Sequence, residues 1–148
     1  MSPARRHALR AGAAFGLGLA GVRAHACEFF ASTLRVTHPW TRATPEGAEH
    51  AAVCMRFDEV SEDERLIGLR TPVAERVEVL DAEGRPLPLD VAIPAGRVTL
   101  LGEHGGPRLR LAGLLMPLEL ARTYPLQLEF AKAGVLRADL SVDYQRFL

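Results

Sequence analysis

A soft metal ion would find few donors in this sequence. His50 and Cys54 lie four residues apart, His104 sits in the turn Leu101-Gly102-Glu103-His104-Gly105-Gly106, and Met55 and Met116 are the only methionines besides Met1. Alternation along a strand places His50, Ala52 and Cys54 on one face and Met55 on the other. An imidazole, a thiolate and a second imidazole suit copper if all three converge. Plainer roles stay open beside that one: Cys54 as a small buried residue, His50 and His104 as surface imidazoles, Met55 and Met116 as core packing. Cys27 and Cys54, the two cysteines of the chain, are also a candidate disulfide that would tie the N-terminal end to an early strand in an oxidising compartment.

Other chemistry is not signalled. The sequence has no Gly-x-Ser-x-Gly elbow, Walker-type loop, His-Glu-x-x-His, Gly-x-Gly-x-x-Gly or Cys-x-x-Cys. Ser61 lies in the acidic loop Glu59-Val60-Ser61-Glu62-Asp63-Glu64, where an oxyanion would be repelled. That loop lacks the spacing and central Gly of a calcium loop and reads as a solvated turn. The expectation is a protein that is not an enzyme.

Short strands must position these residues. Runs of apolar and β-branched residues at 33–37, 50–57, 65–70, 76–81, 97–101, 108–111, 126–130 and 135–144 are separated by Pro, Gly and acidic clusters. In the last run Leu136, Ala138, Leu140, Val142 and Tyr144 share one face, which predicts a half-buried strand. Leu126, Leu128 and Phe130 alternate in the run before it. Ala131-Lys132-Ala133-Gly134 joins the two as a hairpin. Without a long 3.6-residue period, the pattern predicts an all-β, antiparallel β-sandwich in a single domain. Trp40 reads as a core anchor with its indole N–H satisfied, and neither it nor His38 is assigned a site role.

Charge and length narrow the class further. The 148 residues carry 18 Lys plus Arg and 18 Asp plus Glu, so there is no basic footprint for nucleic acid. The N-terminal segment reads as an export signal over residues 1–26: Arg5, Arg6 and Arg10, an apolar run from Ala11 to Val22, then Ala24-His25-Ala26 before Cys27. Arg5-Arg6 resembles a twin-arginine signal. Cleavage after Ala24, exposing His25, or lipid attachment at Cys27 are alternatives for the same segment. Its removal takes away four Arg and no acid, leaving a domain over residues 27–148 with a formal charge of −4, expected in the periplasm with no membrane span.

A series of motifs carries a family resemblance. His38-Pro39-Trp40-Thr41-Arg42-Ala43-Thr44-Pro45, Arg65-Leu66-Ile67-Gly68, Thr71-Pro72-Val73-Ala74-Glu75-Arg76-Val77-Glu78-Val79, Ile93-Pro94-Ala95-Gly96, Gly105-Gly106-Pro107, Leu111-Ala112-Gly113-Leu114 with Pro117-Leu118, and the hairpin strand from Leu126 follow one another. In order and spacing they resemble the periplasmic PCu(A)C-type copper chaperones over residues 36–143. The resemblance implies a cupredoxin-like, Ig-like β-sandwich that binds Cu(I) outside the cytoplasmic membrane and delivers it toward the copper centre of cytochrome c oxidase, with an oxidase subunit or assembly factor as partner.

It also implies where the ligands should be. The family's His after the Val-Glu-Val-like strand corresponds to Leu80, its Met falls in the stretch Pro86-Leu87-Pro88-Leu89, and its His-x-Met pair corresponds to Arg108 and Arg110. Arginine has no lone pair to offer a metal. A metal-free reading follows, in which Leu80, Arg108 and Arg110 share one end of the sandwich as a contact patch for a protein partner in a periplasmic adaptor or assembly factor.

Overall fold

The computed structural model describes residues 27–102 and 107–144. Its strands are β1 Glu28–Phe30, β2 Arg35–Thr41, β3 His50–Asp58, β4 Glu64–Arg70, β5 Ala74–Leu80, β6 Pro86–Leu87, β7 Val91–Ile93, β8 Thr99–Leu101, β9 Arg108–Leu114, β10 Thr123–Phe130 and β11 Gly134–Val142. Among the described residues there is no helix. Hydrogen bonding runs in the order β6-β5-β9-β3-β2-β11-β10-β4-β7, with β1 beside β2 and β8 beside β3.

β3 is the strand about which the sheet curls. Residues 50–53 pair with β9, residues 55–57 pair with β8, and the opposite edge follows β2. The result is the all-β sandwich that the alternating runs predict, of the cupredoxin-like kind that the family resemblance implies. One junction is parallel, with Ser141 and Val142 beside Trp40 and Thr41, so the sheet is mixed. The short β1, β6 and β7 have no counterpart among the predicted runs, because two or three residues are too few to display a period of two.

The strand phases follow the sequence. Leu126, Leu128 and Phe130 on β10 face Ala138, Leu140 and Val142 of β11 into one core cluster, with the hairpin closing at Phe130 opposite Gly134. Phe130 meets Phe57 edge-on, ring centroids 5.9 Å apart at 85°. Val79, Leu109 and Leu111 are buried, as is Met55. Met116 departs from its expected core role: it is exposed in the loop after β9, beside the equally exposed Leu115.

The acidic loop also divides. Glu59, Glu62 and Asp63 are solvated as expected, but Glu64 is only 3% exposed. Its carboxylate accepts from Thr33 Oγ1 at 2.9 Å, the Lys132 N–H at 2.8 Å, the Ala133 N–H at 3.0 Å and the Arg65 N–H at 3.0 Å. A buried carboxylate needs that many donors to repay its lost hydration. Glu64 thereby pins the β10–β11 turn and the segment leading into β2 to the start of β4. Burial raises its pKa, yet the bonds from Lys132, Arg65, Thr33 and Ala133 outweigh it and hold the carboxyl below its ordinary value.

Candidate functional site

The face formed by β3, β9 and β5 collects most of the residues singled out from the sequence. Three rows cross it. His50 stands opposite Ala112, which stands opposite Arg76; Ala52 opposite Arg110, and Arg110 opposite Glu78; Arg108 opposite Leu80. Leu80 and Arg108 are thus direct cross-strand neighbours, and Arg110 lies one row along on the same face. The patch expected from Leu80, Arg108 and Arg110 exists as a geometric unit.

Its charges are not equivalent. Arg110 places Nε and Nη2 each 2.7 Å from Glu78 Oε2, and Arg76 Nη2 reaches Glu78 Oε1 at 3.0 Å. Glu78 is held below the ordinary carboxylate range, first by the Arg110 hydrogen bond and then, against the cost of burial, by Arg76. Arg110 is committed to this internal pair. Arg108 is exposed and has no ion-pair partner among the described residues, while Leu80 beside it is half-buried.

The candidate metal donors do not assemble in the same way. His50 is exposed at the start of β3 and Cys54 is 2% exposed further along it. Four residues of extended strand separate their Cα atoms by about 13 Å, and both side chains stand across the sheet rather than along it. One copper ion cannot bridge them. His104, the third candidate, lies outside the described residues, as do His25 and the whole of residues 1–26. Among the described residues no three His, Cys, Asp or Glu side chains are grouped to hold a metal ion. The residues present there do not fit copper.

What covers Cys54 is backbone. Gly102 follows β8 with φ +127°, and a Cβ at that position would collide with the Cys54 sulfur and lie 2.9 Å from its Cβ. Only glycine allows so close an approach in that conformation.

No disulfide joins Cys27 to Cys54. Cys54 is in register with Trp40 on one side of β2, whereas Cys27 precedes β1 on the other side, its sulfur 3.5 Å from Ser141 Oγ. Strands on either side of a shared neighbour are about 10 Å apart, beyond the Cα separation that a disulfide spans.

Trp40 is buried as expected, but its indole N–H has no hydrogen-bond partner among the described residues. It stacks on His38, ring centroids 6.3 Å apart at 18°. His38 has φ +48° within the bulge between Thr37 and Trp40, donates its N–H to the Cys27 carbonyl at 2.7 Å and sets Nε2 3.4 Å from Asp143 Oδ2. Sequence reasoning missed this cluster; the His-Pro pair within a strand was the available signal, since Pro restricts its predecessor and removes a ladder donor.

The fold is that of the PCuAC copper-chaperone domain. Residues 34–142 match the family model "Putative lipoprotein LpqE-like", and the chain belongs to the LpqE-like family. No curated protein matches it. Among solved structures it is similar to the apo PCuAC domain of PmoF1, at 24% identity over 78% of this chain and 98% of that one, with a TM-score of 0.70. The copper-bound PCuAC domain of PmoF2 is 23% identical over 78% of this chain and 97% of that one, with a TM-score of 0.68. Apo-DR1885 from Deinococcus radiodurans is 20% identical over 99% of this chain and 96% of that one, with a TM-score of 0.61.

Proposed function

We propose that this protein is an exported relative of the copper chaperones that acts in the periplasm as an adaptor or assembly factor, through the Leu80 and Arg108 face rather than through a bound metal. One observation carries the reading. Leu80 and Arg108 are paired in register, one apolar and half-buried, the other an exposed cation without a carboxylate partner among the described residues; the family resemblance sets both against ligand positions. An apolar residue beside an uncommitted guanidinium suits a protein surface that offers a carboxylate next to a hydrophobic contact. An oxidase subunit or another assembly factor is the class of partner that the family suggests. No catalytic step belongs to this reading.

The test is affinity capture of the exported protein with wild type and Arg108→Glu compared. Arg108 is the clean position, because replacing Arg110 would also strip Glu78 of its main partner. Loss of a specific partner from the variant, with its melting temperature unchanged, supports the face. An identical partner set contradicts it.

Copper carriage is the second reading. It is favoured by the similarity to a copper-bound PCuAC domain, and it would need donors other than His50 with Cys54.

A further inference from the structure

A different polar site lies on β4, β10 and β11. Where β4 ends at Arg70, the chain leaves β10 through Thr71 and Pro72, and a groove of about 430 Å³ opens there. Gln127 on its floor is opposite Arg70 on one side and Arg137 on the other. The row Arg70, Gln127, Arg137 therefore crosses three strands, with the two arginine Cα atoms about 10 Å apart. That distance lets two long side chains close on one small anion from opposite sides.

The groups on this row are unspent. Neither Arg70 nor Arg137 has an ion-pair partner among the described residues, whereas Arg35, Arg65, Arg85 and Arg110 each engage a carboxylate. Thr71 lines the same groove and is nine-tenths buried; its hydroxyl oxygen is closed to solvent and has no hydrogen-bond partner among the described residues, so it is no contact point for a ligand.

The opposite charge is also present. Asp139 lines the groove two residues beyond Arg137, about 7 Å further along the strand. A ligand with negative charge along its whole length would be repelled there. One with a carboxylate at one end and an ammonium several ångströms away would satisfy both ends.

We propose that this groove binds a small zwitterion of about dipeptide size, its carboxylate held between Arg70 and Arg137 and its ammonium facing Asp139, with Gln127 as a neutral hydrogen-bonding group. Two guanidinium groups converging on a carboxylate provide the strong charge-assisted contacts, and the volume is within the range of small-molecule sites.

Nitrogen-15 NMR of the arginine side-chain N–H groups, in titrations with glycylglycine and with inorganic phosphate at constant ionic strength, tests the site. Saturable glycylglycine shifts are expected at Arg70 and Arg137 and not at the exposed controls Arg97 and Arg108. Arg70→Gln or Arg137→Gln should each weaken glycylglycine about tenfold. Asp139→Asn should weaken glycylglycine several-fold while strengthening phosphate. Linear shifts shared by all four arginines would overturn the site, and so would unchanged affinity in both arginine variants. Tighter wild-type binding of phosphate than of glycylglycine would overturn the zwitterion assignment.

Discussion

Glu64 shows how much one side chain can decide. Its four accepted hydrogen bonds come from three separate segments, so Glu64→Ala leaves Thr33, Lys132 and Ala133 donors without a partner and should cost roughly 2–3 kcal/mol in denaturant unfolding. The folded-state pKa of Glu64 is lowered, and so is that of Asp58, first by its hydrogen bond to Arg35 and, against burial, by the charges of Arg35 and Arg56. A lowered carboxyl pKa contributes stability that is complete above the unfolded value and is lost as pH falls through the folded one. Unfolding midpoints should therefore decline below about pH 4.5, the ordinary glutamate value, and Glu64→Gln should flatten that decline while lowering the plateau. A wild-type acid limb matched by the Gln variant would show that Glu64 does not contribute. Gly102 makes the complementary case, since Gly102→Ala places a methyl group against Cys54 in a backbone region that alanine avoids. A loss of about 2 kcal/mol or more is expected on thermal unfolding.

At the scale of elements, β10 and β11 were the most legible part of the sequence. Their long period of two set phase, hairpin and core residues together, because the inward positions are apolar throughout and, Ala138 apart, large. Phe130→Ala should accordingly cost about 3–5 kcal/mol, measured by chemical denaturation. Glu64 was hidden by its acidic neighbours, although its phase matches that of the buried Leu66 two residues on. That Leu80 and Arg108 share a face was legible from alternation with the family layout, but their pairing in register was not. Nor was Arg110's capture by Glu78, since which of several charges on one face pair depends on rotamers that alternation does not fix. The same limit applies to the cysteines: spacing cannot tell on which side of β2 each one lies. With β2 between them, thiol titration of unreduced, denatured protein should count two thiols; a count of zero would place a disulfide where the strand geometry separates the chains.

For the whole molecule, the sandwich and the function answer to different residues. The core positions that make the PCuAC fold are apolar and follow the strand period, so the fold does not depend on which residues stand on the β3, β9 and β5 face. Among the described residues no three His, Cys, Asp or Glu side chains are grouped to hold a metal ion, and the β5 and β9 face presents Leu80 beside Arg108. The claim that most needs testing is that the folded protein works without holding copper. Native mass spectrometry of the exported protein, titrated with Cu(I) against a strongly competing chelator, addresses it directly. A folded charge-state distribution with no copper retained is expected; one copper held per chain at high chelator concentration would overturn a metal-free role.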